Sequence, residues 1–299
     1  MANEQKSTVL VIGATGFLGM EICRQLMAAK KNVKALVRNS SDPEKVQALQ
    51  QMGIETVTGD MKDISSLNNA CINVSTVIST ASATLSRQSG DSIETVDNDG
   101  QLNVVAAAEK TGVQQFIYIS FNPMAQEFPL QTAKRAVEKQ LMEGKMNYTI
   151  LQPTVFMEVW LSPNLGFDYG NEKATIYGEG TSKLTWISLK DVASFAVGCV
   201  DNPAARNMTL ALGGPDALSS MEVVAIFEQQ TGKRFKLEHV PLEALKAQKN
   251  TAPDSLSQSF AALMMSFSEE SVINMQEPLK ICPMVLTSVK DYAQQVMPK

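Results

Sequence analysis

The sequence predicts an α/β protein: a doubly wound parallel sheet in the first half, followed by a smaller, mostly helical C-terminal region. Three observations predict it. Short β-branched apolar runs alternate with stretches of helical periodicity from Thr8 to Leu151. The first run ends in a glycine-rich turn that leads straight into a helical pattern. After about Pro153 the rhythm loosens, and Pro163, Gly166, Gly170, Gly178 and Gly180 punctuate a loop-rich stretch.

Taken in chain order, residues 8–12 are apolar and β-branched and end at Gly13, the pattern of a strand buried on both faces. Over residues 16–29, Phe17, Leu18, Ile22 and Leu26 recur at helical spacing. Residues 32–37 read as the second strand. Ser41, Asp42 and Pro43 then open a helix with a capping residue and an early proline. Strands are expected at 54–57 and 76–79, a Val- and Ala-rich helix at 99–109, and a strand at 116–120. A helix at 131–142 and a sixth strand at 148–151 follow. Strands separated by helices imply βαβ units with right-handed crossovers. A helix from about 189 and a strand near 207–212 are expected to return to the sheet. From 219 onward the pattern is mostly helical, with one strand near 235–240. The expected organisation is a core over 1–155, completed by 189–212, and a smaller region over 156–299.

With 299 residues, 44% of them apolar and 19% charged, the chain is globular and able to bury a sizeable core. A net charge of -5 argues against broad contact with nucleic acid or anionic membrane, both of which reward clustered Lys and Arg. No apolar run approaches the roughly 20 residues that span a bilayer. The polar start at residues 1–7 lacks a signal-peptide pattern. Cys23, Cys71, Cys199 and Cys282 form no Cys-x-x-Cys pair, which predicts free thiols, no metal site and a reducing cytoplasm. A single histidine, His239, leaves little material for a transition-metal site or a Ser-His-Asp triad. Its position just before Pro241 reads as strand end or surface.

The most informative segment is Val11-Ile12-Gly13-Ala14-Thr15-Gly16-Phe17-Leu18-Gly19. A strand, a glycine-rich turn and a helix in succession are what a Rossmann-type site uses to hold a diphosphate. Gly13 permits the tight turn, Gly16 lets backbone approach the ligand, and Gly19 lets the helix pack closely. Thr15, Phe17 and Leu18 complete the loop, whose N–H groups and helix dipole suit an anion. An NAD site carries an acid at the end of the second strand, where this chain has Val37-Arg38-Asn39. Arg38 offers a planar cation for the 2′-phosphate of NADP(H); the alternative is a solvated strand-end charge. Asp60 and Met61 follow the third strand. Asp60 either approaches the adenine amino group or serves the turn. Thr80 and Ala81, small residues after the fourth strand, leave room for diphosphate and ribose.

These residues resemble the NmrA-like branch of the atypical short-chain dehydrogenase/reductases. The resemblance rests on the glycine loop, on Val37-Arg38-Asn39 and on Thr58-Gly59-Asp60. It continues through residues 99–105, 116–120, 148–158 and 186–193. It implies a Rossmann core, a small C-terminal substrate region and NADP(H) as the usual ligand. Some family members are reductases of aromatic, quinone-like or phenylpropanoid compounds. Others are nucleotide-sensing regulators, and some relatives assist assembly of other proteins.

One departure bears on mechanism. The usual Tyr-x-x-x-Lys dyad has Lys134 in place, but Leu130 stands where the tyrosine belongs. Ser120 occupies the end of the fifth strand. NmrA-like reductases commonly lack the tyrosine and keep the lysine. Lys134 and Ser120 are therefore the catalytic candidates: Lys134 to orient the nicotinamide ribose and stabilise developing negative charge, Ser120 to position the acceptor. The other reading of Lys134 is an exposed helix charge paired with Glu138. The match at Tyr169 and Lys173 is assigned to a loop and discounted. Pro153 and Phe156 after the sixth strand, with Met157 and Trp160, are expected to border the nicotinamide pocket or to be core. Two functions compete: an NADPH-dependent reductase of a small, largely apolar acceptor such as a quinone, enone or aromatic carbonyl, and an NADP(H)-binding sensor or assembly protein acting on a protein partner.

Overall fold

The computed structural model describes residues 7–85 and 88–297, so the expectation drawn from residues 1–6 lies outside the described residues. The chain runs β1 (Thr8–Ile12), α1 (Phe17–Ala28), β2 (Asn32–Val37), α2 (Pro43–Gln51), β3 (Glu55–Thr58), α3 (Ile64–Ala70) and β4 (Thr76–Ser79). A π-helical segment, Ile93–Asn98, leads into α4 (Asp99–Thr111), then β5 (Gln115–Ile119), α5 (Pro129–Glu143) and β6 (Asn147–Pro153). The remainder is α6 (Met157–Trp160), β7 (Phe167–Asp168), β8 (Lys173–Tyr177), β9 (Leu184–Thr185), α7 (Leu189–Gly198), β10 (Met208–Leu212) and β11 (Ala217–Leu218). It closes with α8 (Ser220–Thr231), β12 (Lys236–Val240), α9 (Leu242–Asn250), α10 (Ser255–Met265), α11 (Gln276–Ile281) and α12 (Val289–Val296).

A seven-stranded sheet runs in the order β10-β6-β5-β4-β1-β2-β3. Strands β1 to β6 pair in parallel with their neighbours. Strand order reverses between β1 and β4, and in doubly wound sheets ligands bind outside the carboxyl ends of the strands at that point. The expected strand at 207–212 is β10, and it joins this sheet at the edge beside β6. Asp42 caps α2 by accepting from the Glu44 N–H, with Pro43 at the first helical position. Reading by pattern overlooks α3 and the π-helical segment, since seven and six residues are too short to show a period.

Two compact units are present. The first comprises residues 1–120, 132–151 and 193–210. Its core includes Leu10, Ile12, Val77, Val104, Phe116 and Tyr118. Gln101 is buried within it, accepting from Ser79 Oγ at 2.7 Å and donating to the Ala81 carbonyl at 2.7 Å. That bond fixes the backbone leaving β4.

The second unit comprises residues 121–131, 152–192 and 211–299. A three-stranded sheet, β12-β8-β7, carries an aromatic core. Trp160 meets Phe267 edge-on at 4.7 Å, and Phe167 meets Phe227 at 4.8 Å. From 219 onward the chain is mostly helical with the one strand β12, as expected. The stretch read as loop-rich before it also holds β7, β8, β9 and β11, three of which are two residues long and so carry no alternation to read. Among the described residues no helix is long and apolar enough to cross a membrane. All four cysteines are free and buried.

Candidate cofactor and active site

The glycine loop closes at the end of β1. Gly13 stands at φ +82, a left-handed conformation, and a Cβ there would lie 2.7 Å from Thr80 Oγ1 and 2.9 Å from the Ala81 nitrogen. The Gly16 N–H donates to the Gly13 carbonyl at 3.0 Å, which tightens the turn. Gly16 is also the N-cap of α1. No side chain caps that helix, and its first turn carries no acid. By contrast α2 and α3 have Asp42 and Asp63 as caps. The N–H groups at the start of α1 thus have no side-chain cap and no acid in their own turn, and with the positive end of the helix dipole they suit a diphosphate. Thr15 and Leu18 are half-buried. Phe17 is exposed, with the Lys45 ammonium 5.9 Å from its ring centre. Thr80 Oγ1 donates back to the Ile12 carbonyl at 3.1 Å, which joins the β4 exit to the loop. These residues fit a dinucleotide diphosphate.

Arg38 has a partner that neither sequence reading foresaw. Its Nη1 donates to both carboxylate oxygens of Asp91, at 3.0 and 2.8 Å. Lys62 Nζ donates to the same carboxylate at 3.1 Å, and the Gln88 N–H adds a bond at 3.2 Å. The Asp91 side chain is 1% exposed. Burial pushes its carboxyl up, but the bonds from Arg38 and Lys62 outweigh burial and hold it below the usual carboxylate range. Arg38 is therefore an ion-paired residue and not a solvated strand-end charge. Nothing local signals this, because Asp91 is 53 positions away. Asp60 takes the turn role: its carboxylate accepts from the Lys62 N–H at 2.9 Å. Met61 is buried.

Lys134, Asp97, Ser120 and Glu138 are buried polar residues of the first unit. Lys134 is not an exposed helix charge, and its partner is not Glu138. Its side chain is 6% exposed, and Nζ lies 3.8 Å from Asp97 Oδ1, whose side chain is fully buried. Nζ also donates to the Ile119 carbonyl at the end of β5, at 3.2 Å, and lies 5.0 Å from the centre of the Tyr118 ring. The other Asp97 oxygen accepts from the Ala83 N–H at 2.9 Å, so the pair borders the segment that leaves β4. Burial lowers the Lys134 ammonium from its ordinary value, with Asp97 opposing, and burial raises the Asp97 carboxyl, with Lys134 opposing.

Glu138 pairs with Arg135 at 2.9 Å instead, and Arg135 Nη2 donates to Ser120 Oγ at 3.1 Å. Ser120 and Lys134 accordingly stand on two neighbouring networks at the end of β5. Sequence reasoning missed Asp97, although a signal existed. Leu130, Ala133, Val137 and Leu141 form a buried stripe of α5, and position 134 falls on it. A lysine there demands a buried counter-ion.

The remaining candidates lie in the second unit. Pro153 ends β6, and Phe156 bridges to Ile187 at the start of α6. Met157 and Trp160 pack into that unit's own core, the second of their two readings. His239 lies on β12 with Nδ1 3.1 Å from the Gly178 carbonyl. Tyr169 follows β7 and Lys173 opens β8 opposite Asp168, so this Tyr-x-x-x-Lys match spans a hairpin and not a helix.

Known proteins agree with this architecture. An NADPH-dependent quinone oxidoreductase from Escherichia coli, solved with NADPH, has the same fold with a TM-score of 0.78 at 22% identity, covering 96% of this chain and 99% of that one. A phenylcoumaran benzylic ether reductase of Ginkgo biloba is 32% identical over 260 residues, 80% of this chain and 79% of its own. The photosystem II assembly factor Ycf39 of Synechocystis is 31% identical over 242 residues, 80% of this chain and 72% of its own. The model of the NmrA-like family matches residues 5–295, and the chain belongs to that family.

Proposed function

We propose that this protein is an NADPH-dependent reductase of a small, largely apolar acceptor of the quinone, enone or aromatic carbonyl class. The observation that carries the reading is the buried Lys134–Asp97 pair beside the β5 end and the β4 exit. Bound NADPH would supply the hydride. Gly13, Thr15, Gly16, Phe17 and Leu18 hold the diphosphate, and Thr80 and Ala81 leave it room. Arg38 meets the 2′-phosphate, and the turn that Asp60 holds, with Met61, borders the adenine. Lys134 hydrogen-bonds the nicotinamide ribose and stabilises the oxyanion that forms on the acceptor. Ser120, held by Arg135, positions that acceptor. The four buried thiols suit a reducing compartment, and we place the protein in the cytoplasm.

Steady-state NADPH consumption with a panel of quinones, enones and aromatic carbonyls tests this. At least one acceptor is expected to be reduced. Calorimetry supplies a second test. Arg38→Glu is expected to weaken NADPH by about 10²-fold or more and NADH little, since it removes a charge-assisted contact to phosphate and adds repulsion. NADH bound as tightly as NADPH by the unmodified protein would overturn the cofactor assignment.

A second reading has its own support. The Synechocystis relative is named an assembly factor, and Leu130 stands where the dyad tyrosine belongs. A protein that reports cofactor redox state to a protein partner consumes no NADPH with any acceptor and binds NADP+ and NADPH with unequal affinity.

A further inference from the structure

The charge at the Arg38 end of the crevice does not balance with Arg38 alone. Arg38 and Asp91 cancel: one guanidinium faces one buried carboxylate in a two-bond contact. A neutral pair exerts little pull on a 2′-phosphate, which as a monoester carries roughly -1.5 to -2 charges at pH 7. Lys62 changes the sum. Its ammonium shares Asp91 with Arg38 at 3.1 Å, and the three side chains together hold one uncompensated positive charge.

Both cations remain partly open, with side chains 24% and 37% exposed, while the carboxylate between them is sealed. Both bonds from Arg38 leave through Nη1. A guanidinium has five N–H donors and an ammonium three, so each cation keeps donors for a second anion. The cluster gathers three crevice segments: Arg38 follows β2, Lys62 follows β3, and Asp91 belongs to the stretch after β4. In a parallel sheet these carboxyl ends are where ligands bind.

We infer that Lys62 is the second cation of the 2′-phosphate subsite, and that Asp91 is the fixed counter-ion that holds Arg38 and Lys62 side by side. This rests on the NADP(H) reading above and deepens it: preference for NADPH over NADH depends on Lys62 as well as on Arg38. A merely structural triad would tie the segment at Gln88 and Asp91 to the sheet and leave cofactor preference unmoved.

The test is calorimetric titration of the full chain with NADPH and NADH at two salt concentrations. Lys62→Met is expected to weaken NADPH about tenfold while changing NADH less than about twofold, the size of one lost charge-assisted contact. Lys62→Arg keeps the charge and is expected to retain the preference. Added salt should narrow the gap between wild type and Lys62→Met, because the lost contact is electrostatic. If Lys62→Met leaves the NADPH-to-NADH affinity ratio of the wild type intact, Lys62 is excluded from the subsite. Equal loss of both cofactors excludes it too. If the wild type itself shows no preference for NADPH, the underlying cofactor reading fails instead, which separates the two failures.

Discussion

Replacing Asp97 with asparagine is expected to destabilise the protein by about 3 kcal/mol, the low end of the cost of breaking a buried ion pair. Asparagine keeps the shape and the capacity to accept from the Ala83 N–H, so the change isolates charge. It leaves the Lys134 ammonium buried beside the Ile119 carbonyl and the Tyr118 ring without its carboxylate partner. The cost falls at the low end because Lys134 can shed its proton. The sign with pH follows. A lysine whose folded pKa is lowered gives an unfolded state that binds more protons, so stability rises with pH from the folded pKa up to the unfolded one. Loss of Asp97 lowers the Lys134 pKa further. The gap between wild type and Asp97→Asn should therefore shrink as pH rises toward about 10, the ordinary lysine value. Urea midpoints at neutral and alkaline pH measure it. The double variant Asp97→Asn/Lys134→Met should recover much of the loss, since both charges are then gone. A single variant as stable as wild type at neutral pH would show that the pair carries no buried charge.

Alanine at Gly19 is expected to cost about 3 kcal/mol, the upper part of the range for overpacking, and to abolish dinucleotide binding. Its Cβ would fall 2.1 Å from the Gly13 carbonyl oxygen and 2.9 Å from the Ala14 Cα. Both are backbone atoms of the loop itself, so no rotamer change relieves the clash. The helix start must back away from the turn, which spreads the N–H groups that converge on a diphosphate. Gly16→Ala is the informative control. There the added carbon lies 3.2 Å from the same oxygen, a contact a small shift accommodates, so the fold should survive with little loss. Thermal unfolding and cofactor fluorescence titration read the two effects. A Gly19→Ala protein with wild-type stability and binding would contradict the close packing of α1 on the loop.

The sequence was most legible where its signals are local. The run before Gly13, the glycine spacing and the helical repeat of α1 occupy one short stretch and predict one another. The six crevice strands were readable for the same reason: each is a β-branched run between helices. What escaped reading depends on distance along the chain. Asp91 meets Arg38 from 53 positions away, and Asp97, in the segment before α4, meets Lys134 on α5. Neither carboxylate sits in a motif, so only the fold shows that Asp91 and Asp97 are the counter-ions. The short strands β7, β9 and β11 escaped because two residues cannot alternate. The stripe on α5 is a different case. Position 134 lies among apolar neighbours at helical spacing, and that pattern alone implies a buried lysine in search of an acid.

The central claim is that Lys134 takes part in hydride transfer from NADPH to an apolar acceptor. The direct measurement compares NADPH consumption by wild type and Lys134→Met, followed by nicotinamide absorbance with the best acceptor of the panel, after titration shows that both proteins bind NADPH. The account predicts a loss of at least about 10²-fold in turnover for Lys134→Met, the lower range for a charge-stabilising or proton-handling group. Equal turnover in the two proteins, with cofactor binding intact in both, would contradict it.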